Sequence, residues 1–254
     1  MRWRNWAVGL VVTLVLFGLW EVIAAVGPWP DHLLPRATDV LVTLLELSRD
    51  GRLHVAIGES MGRLLRGYGL ALLVGLPLGV TLGRIPPVRE ALRPVVAGLQ
   101  ALPSICWLPL ALLWFGLSET AIVFVVVMGS LTAVAVATED AVRGIDPNLE
   151  KAARTFGIRG VRLAFGVHLM AAMPGVVTAL KLGWSFAWRA LLAGELLFVS
   201  GGLGQLLTAG RELLKSAQVM AVMVAIIAIG VLIDRVLFQT VERRVRRRWG
   251  LAAS

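Results

Sequence analysis

The sequence predicts an all-α fold, a polytopic bundle of about six membrane-spanning helices. Three observations carry that expectation. The 254 residues are 57% hydrophobic and only 16% charged, with a mean hydropathy of +0.80, whereas soluble domains carry roughly a quarter charged residues. Several windows are apolar over the roughly 20 residues that a helix needs to cross a bilayer. The basic residues are also unevenly placed. In the six-span arrangement 16 of the 25 lysines and arginines fall on one side and 7 on the other, with Arg66 and Arg235, near span ends, counted with their flanks and Lys181 and Arg189 deeper inside a span. The positive-inside rule puts the richer side, and both termini, in the cytoplasm. The net charge of +9 therefore reads as a topology signal: the expected partner is the lipid bilayer and not nucleic acid. Cys106, the single cysteine, excludes an intrachain disulfide and reads as an inert buried thiol. His32, His54 and His168 lack metal-ligand spacing, so no metal and no other cofactor is expected on this chain.

Taken in order, Trp6–Val26 is the first span. Its basic start imitates a secretory leader, but the apolar run is long and no small-residue cleavage site follows, so it reads as a retained helix. The stretch RATDVLVTLLELSRDG has apolar residues at Val40, Leu41, Leu44, Leu45 and Leu47. Thr38 or Asp39 is placed to cap it and Gly51 to end it. It reads as an amphipathic helix on the outer surface, packed against its neighbours. Leu65–Leu82 and Val95–Phe115 are the second and third spans, punctuated by Pro77, Pro103 and Pro109. Such breaks survive in a membrane where neighbouring helices or a cavity satisfy the freed carbonyls, so they suggest a bundle packed around a path. Thr120–Thr138, Gly175–Phe198 and Val219–Phe238 complete the set. The closing VERRVRRRWG reads as a headgroup anchor.

Between the fourth and fifth spans the chain turns polar. Asp146-Pro147 is a strong helix start, with Asp as N-cap and Pro at the first helical position. Gly157 is placed to end the helix in a left-handed conformation. Leu149, Ala152, Ala153 and Phe156 fall at i, i+3, i+4 and i+7 and form one apolar face, with Glu150, Lys151, Arg154 and Thr155 opposite. A helix this short does not stabilise itself. Two readings stay open from the residues alone: a surface connector, or a helix held by docking, with Phe156 as the anchor.

The segment EKAARTFGIRGVRLAFGVHLMAAMPGVVTALKLGWSFAWRALLAGELL resembles the cytoplasmic EAA loop and following span of binding-protein-dependent ABC importer permeases, in their nitrate/sulfonate/taurine branch. LPSICWLPLALLWFGLSE is similar to the third span of that branch, and GGLGQLL to its outer loop before the last span. Against the motif, Lys151 stands where a glutamate is usual and Glu150 comes one residue early; Leu169-Met170 replaces a frequent leucine-proline pair, with a proline only at Pro174. The resemblance implies a single permease domain over residues 1–254, of the type I importer kind, in a bacterial or archaeal inner membrane. It implies a coupling loop at about 140–173, in which Leu149, Glu150, Lys151, Ala152, Ala153, Phe156 and Gly157 engage a separate cytoplasmic ATPase. ATP and Mg would sit on that partner, since this chain has no G-x-x-x-x-G-K-[ST] loop. It further implies a permease dimer, with homodimer the expected form, an extracytoplasmic substrate-binding protein, and a small solute such as a sulfonate, taurine or nitrate.

Within the fifth span, Lys181, Trp184, Ser185, Trp188, Arg189 and Leu192 recur at helical spacing, with Glu195 beyond them. Ionisable residues inside a membrane are costly and usually face the bundle interior. Trp184, Ser185, Trp188, Arg189 and Glu195 are therefore the candidate path residues for an anion. A structural alternative has Lys181 snorkelling to the inner surface and Arg189 paired with Glu195 or Glu21. Other function classes weigh less. An ion-coupled secondary carrier tends to show inverted repeats, and none is visible. A membrane enzyme needs a convergent catalytic constellation, and the sequence offers none.

Overall fold

A computed structural model describes residues 2–30, 32–197 and 201–248, and among these the regular structure is helical, with no strand. In chain order the helices are α1 (Arg2–Val26), α2 (Ala37–Arg49), α3 (Arg52–Arg84), α4 (Pro86–Ala101), a 3-10 turn (Ser104–Trp107), α5 (Leu108–Phe115), α6 (Glu119–Arg143), α7 (Pro147–Thr155) and α8 (Gly160–Leu163). A π turn (Ala164–His168) leads into α9 (Leu169–Leu197); α10 (Gly202–Glu212) and α11 (Ser216–Ile233) follow, and a second π turn (Asp234–Phe238) joins α11 to α12 (Gln239–Arg248).

Four stretches, Arg52–Arg84, Glu119–Arg143, Gly166–Leu197 and Ser216–Val245, are long and apolar enough to cross a membrane. The expected third span is not one straight helix. α4 and the Ser104–Phe115 segment make a pair bent by 97°. Pro103 forces the break: the residue before a proline is pushed out of the helical region, and Leu102 sits at φ −70°, ψ 124°. The expected first span falls in α1. The side chains of residues 2–10 and 13 lie outside the description, and the described apolar stretch there is Leu14–Val26. Phe198, expected at the end of the fifth span, also lies outside the described residues.

The chain divides into two compact units. The first holds α1, α2, the first turns of α3, α10 and most of α11. α2 starts earlier than its expected caps: Arg36 is the N-cap and makes no side-chain cap bond. Glu21 of α1 takes over that task, accepting from the Thr38 backbone N–H at 3.1 Å and from its hydroxyl at 3.0 Å. An acceptor carboxylate at a helix N-terminus satisfies orphan donors and complements the dipole. Val40 and Leu47 are buried as expected, whereas Leu41 and Leu45 are exposed. Gly51 ends the helix at φ +76°.

The second unit holds the rest of α3, α4 to α9 and α12. Gly75, Gly79 and Gly83 recur every four residues on α3, and a Cβ on any of them would press on Val134, Thr138 or Val142 of α6. Small residues at this spacing let membrane helices approach closely. α9 runs antiparallel to α6, because Gly175, Gly183 and Gly194 face Ala141, Val134 and Ile122 in turn. Leu64, Tyr68, Ile122, Val126, Ala187 and Leu191 form the apolar centre where the three helices meet.

Two carboxylates are fully buried in this unit. Glu195 of α9 accepts from the Ser60 hydroxyl at 2.9 and 2.8 Å and from Arg63 Nη1 at 2.9 Å. Arg63 is 1% exposed and also reaches Glu119, which Arg66 contacts from the solvent side. Arg52, Arg63 and Arg66 all belong to α3. Glu139 of α6 accepts from Arg93 of α4 at 2.7 Å, with Arg143 at 3.6 Å.

Candidate functional site

The polar interruption forms the helix its residues predict. Asp146 is the N-cap of α7, its side chain accepting from the Asn148 N–H at 2.8 Å, and Pro147 opens the first turn. At the other end Gly157 adopts φ +77°. The Ile158 N–H bonds back to the Ala153 carbonyl and the Gly157 N–H to the Arg154 carbonyl, each at 3.0 Å. These are the 6→1 and 5→2 bonds of a Schellman cap. The apolar face divides. Ala153 turns inward at 8% exposure, while Leu149 is 44% and Phe156 84% exposed. Leu149 and Phe156 thus present apolar surface on the outward side of the capped helix.

The charged residues of α7 point both ways. Lys151 and Arg154 are exposed. Glu150, one position before the motif's usual glutamate, accepts from Arg154 at 3.1 and 2.7 Å and lies 3.1 Å from Nε2 of His168, which is buried in the π turn leading into α9. The one-residue offset rotates this carboxylate by about 100° around the helix, so it latches α7 to the base of α9. Arg154 first and His168 second hold the Glu150 carboxyl below its usual range. A depressed carboxylate contributes stability that is present above the unfolded value, about 4.3, and is lost as pH falls through the lower folded value. Amide protection factors of α7 are therefore expected to hold from pH 8 to pH 5 and to drop below about pH 4. In Glu150→Gln that acid limb should be absent; an unchanged limb would remove the latch.

The aromatic and cationic stripe on α9 does not line one surface. Trp184 meets Tyr68 edge-on, ring centroids 5.5 Å apart, and lies 6.0 Å from Phe238. Trp188 packs on the apolar centre around Leu64 and Leu191. Lys181 does not snorkel free; its Nζ pairs with Asp234 of the second π turn at 2.6 Å. Glu195 belongs to the Ser60–Arg63 network, so its expected pairing with Arg189 is replaced, and Glu21 is spent on α2. Of the five path candidates, Ser185 and Arg189 share the exposed face, while Trp184, Trp188 and Glu195 lie on packed faces.

Arg189 opens onto a cavity of about 250 Å³ lined by Gln100, Ser104, Gly129, Thr132 and Phe186, among others. Its Nε–H donates to the Ser185 carbonyl at 3.1 Å, and its guanidinium carbon lies 4.6 Å from the centre of the Phe186 ring. Cys106, expected as a buried thiol, is exposed in the 3-10 turn that forms one edge of this break.

Sequence reasoning missed Arg63, Glu119, Glu139, His168 and Asp234 as interacting groups. The local signals were i,i+4 spacings, Glu139 to Arg143 and, in the sequence, Glu59 to Arg63.

The family model for binding-protein-dependent transport system inner membrane components matches residues 73–247. The chain is 28% identical over 256 residues to the taurine transport system permease protein TauC of Escherichia coli K12, covering 96% of this chain and 92% of that one. It is 26% identical over 227 residues to the bicarbonate transport system permease protein CmpB of a Synechocystis species, covering 85% and 81%. Among solved structures it is similar to a chain of the MetNI methionine ABC transporter in an inward-facing conformation, with a TM-score of 0.66, 21% identity, and coverage of 81% of this chain and 99% of that one. This last likeness is one of fold.

Proposed function

We infer the function from one premise: the chain belongs to the family of binding-protein-dependent transport system inner membrane components. It is a multi-pass cell membrane protein with the fold of a type I ABC importer permease, of the taurine, sulfonate and nitrate kind. Beyond that, the reading is that it forms the path for a small anionic solute and couples to a separate ATPase. α7 and its flanks (Leu149, Glu150, Lys151, Ala152, Ala153, Phe156 and Gly157) are the coupling surface. Both termini lie on the ATPase side of the membrane, a second permease copy completes the path, and a binding protein delivers solute from outside. ATP and Mg belong to the ATPase.

The observation that carries this reading is Phe156. Its ring is 84% exposed on a capped helix, with Leu149 44% exposed on the same face, apolar surface set out for a partner to bury. The solute class draws support from the relatives' printed substrates: taurine carries a sulfonate and bicarbonate is an oxyanion.

The test is Phe156→Ala in the assembled complex. Truncating a central aromatic anchor costs roughly 2–4 kcal/mol of docking free energy. ATP-driven uptake in proteoliposomes is expected to fall by about 30-fold or more, with membrane insertion and the melting temperature of the permease unchanged. Coupled uptake at the unsubstituted rate would reject α7 as the docking element.

A further inference from the structure

We propose that the cavity beside Arg189, at the break between α4 and the 3-10 turn, binds the anionic group of the solute in transit. The permease itself then selects for a small oxyanion, in addition to whatever its binding protein selects. This rests on the importer reading above.

The first argument is depth. Gly129 faces Ala190, the neighbour of Arg189, and also Ser104: a Cβ on Gly129 would lie 2.7 Å from the Ala190 Cβ and 3.0 Å from the Ser104 Cβ. Gly129 stands ten residues into α6, which runs from Glu119 to Arg143. At 1.5 Å per residue that is about 15 Å from one end and about 21 Å from the other. Arg189 and the backbone break therefore sit near the middle of a hydrocarbon layer about 30 Å thick.

The second argument is the backbone. Leu102 and Pro103 are non-helical. Irregular backbone at membrane depth is tolerated only where it is buried in protein or lines a water-filled cavity, and Leu102 and Pro103 are exposed and line this one. Water is thus expected beside Arg189.

The third argument is chemistry. A guanidinium is charged at any working pH and presents a planar fork of donors. Arg189 spends Nε on the Ser185 carbonyl and rests its guanidinium on the Phe186 ring; among the described residues neither Nη nitrogen has a hydrogen-bond partner in the protein, and no carboxylate pairs with it. A midplane cation without a counterion marks a substrate or ion pathway. Two parallel N–H donors match two oxygens of a sulfonate, nitrate or bicarbonate. The hydroxyls of Ser104 and Thr132 and the Gln100 amide line the same cavity and have donors to offer the third oxygen. The volume, about 250 Å³, equals that of roughly eight waters, enough for a small organic sulfonate.

The test has two arms. In the first, the purified full-length protein in nanodiscs is melted with sodium methanesulfonate or sodium nitrate, against sodium chloride at equal ionic strength as a charge-matched anion with no oxygens to share between the Arg189 fork and the neighbouring hydroxyls. The small anions should raise the melting temperature by about 2–4 °C at saturation. Arg189→Gln and Thr132→Val should shrink that shift, the former to near zero, and Arg189→Lys should keep part of it. Equal shifts with chloride, no shift in the unsubstituted protein, or an undiminished shift in Arg189→Gln would each overturn the site. In the second arm the complex with its ATPase and binding protein is reconstituted. Arg189→Gln should lower solute uptake about tenfold or more while stimulation of ATP hydrolysis by the loaded binding protein survives. Unimpaired uptake in Arg189→Gln, with stimulation intact, rejects the site and leaves the importer reading standing. If the unsubstituted complex shows no such stimulation, the importer reading falls, and the melting arm judges the site by itself.

Discussion

Replacing Arg63 with methionine is expected to destabilise the protein by about 3–5 kcal/mol, among the largest effects a single substitution has here. Arg63 is 1% exposed and its partner Glu195 is 0% exposed at the side chain, with 2.9 Å between them. Methionine matches the length of the arginine stem but takes the cation away from the buried Glu195 carboxylate, which accepts from the Ser60 hydroxyl as well. A buried carboxylate stripped of its cation carries a large desolvation penalty. Glu119 suffers less, because it is 54% exposed and keeps Arg66 at 3.1 Å. The double variant Arg63→Met with Glu195→Leu removes both charges, and a well-packed apolar pair is often as stable as the ion pair it replaces. Denaturant or thermal unfolding in detergent should therefore show a large loss in the single variant and recovery of most of it in the double, a coupling characteristic of contacting residues. Wild-type stability in Arg63→Met would mean that the network contributes nothing to the fold.

How legible these features were in the sequence depends on how local their causes are. α7 was readable to within a residue because its ends are set by Asp146, Pro147 and Gly157, each acting on its own few neighbours. The third span was readable as apolar and proline-broken. Its 97° bend was not, because a proline within an apolar window fits a mild kink equally well; the close approach of Ser104 to Gly129, across 25 residues of chain, accompanies the sharper break. The α9 stripe shows the same divide. Spacing placed Trp184, Trp188 and Arg189 on nearby turns. Tyr68 and Phe238, which claim Trp184, come from distant parts of the chain, and no pattern inside α9 announces them. Arg63 and Glu195 are 132 residues apart. In the sequence Arg63 looked like one more basic residue before a span, and only tertiary packing makes it the counterion of a buried carboxylate. Glu150 was legible as a departure from the family motif; what it does instead rests on His168, eighteen residues on.

Gly157→Val is expected to uncouple the transporter without unfolding it. Gly157 sits at φ +77°, and a Cβ built there meets no atom within 4 Å. The substitution therefore acts through backbone conformation and not through a clash. The left-handed region costs an L-residue roughly 1–2 kcal/mol, and a β-branched side chain more. Escaping it means giving up the Gly157 to Arg154 and Ile158 to Ala153 bonds that close α7. Phe156 immediately precedes that turn, so its ring leaves the position the cap gives it. Solute-stimulated ATP hydrolysis and uptake in the reconstituted complex should fall about tenfold or more, on the scale of that conformational cost. The melting temperature of the permease alone should stay near its original value, because α7 contributes only Ala153 to the buried interior. Asparagine provides the control, since its short polar side chain visits the left-handed region readily. Gly157→Asn should retain most of the coupled activity. If the valine and asparagine variants behave alike, whether both active or both dead, the left-handed cap is not what positions the coupling helix.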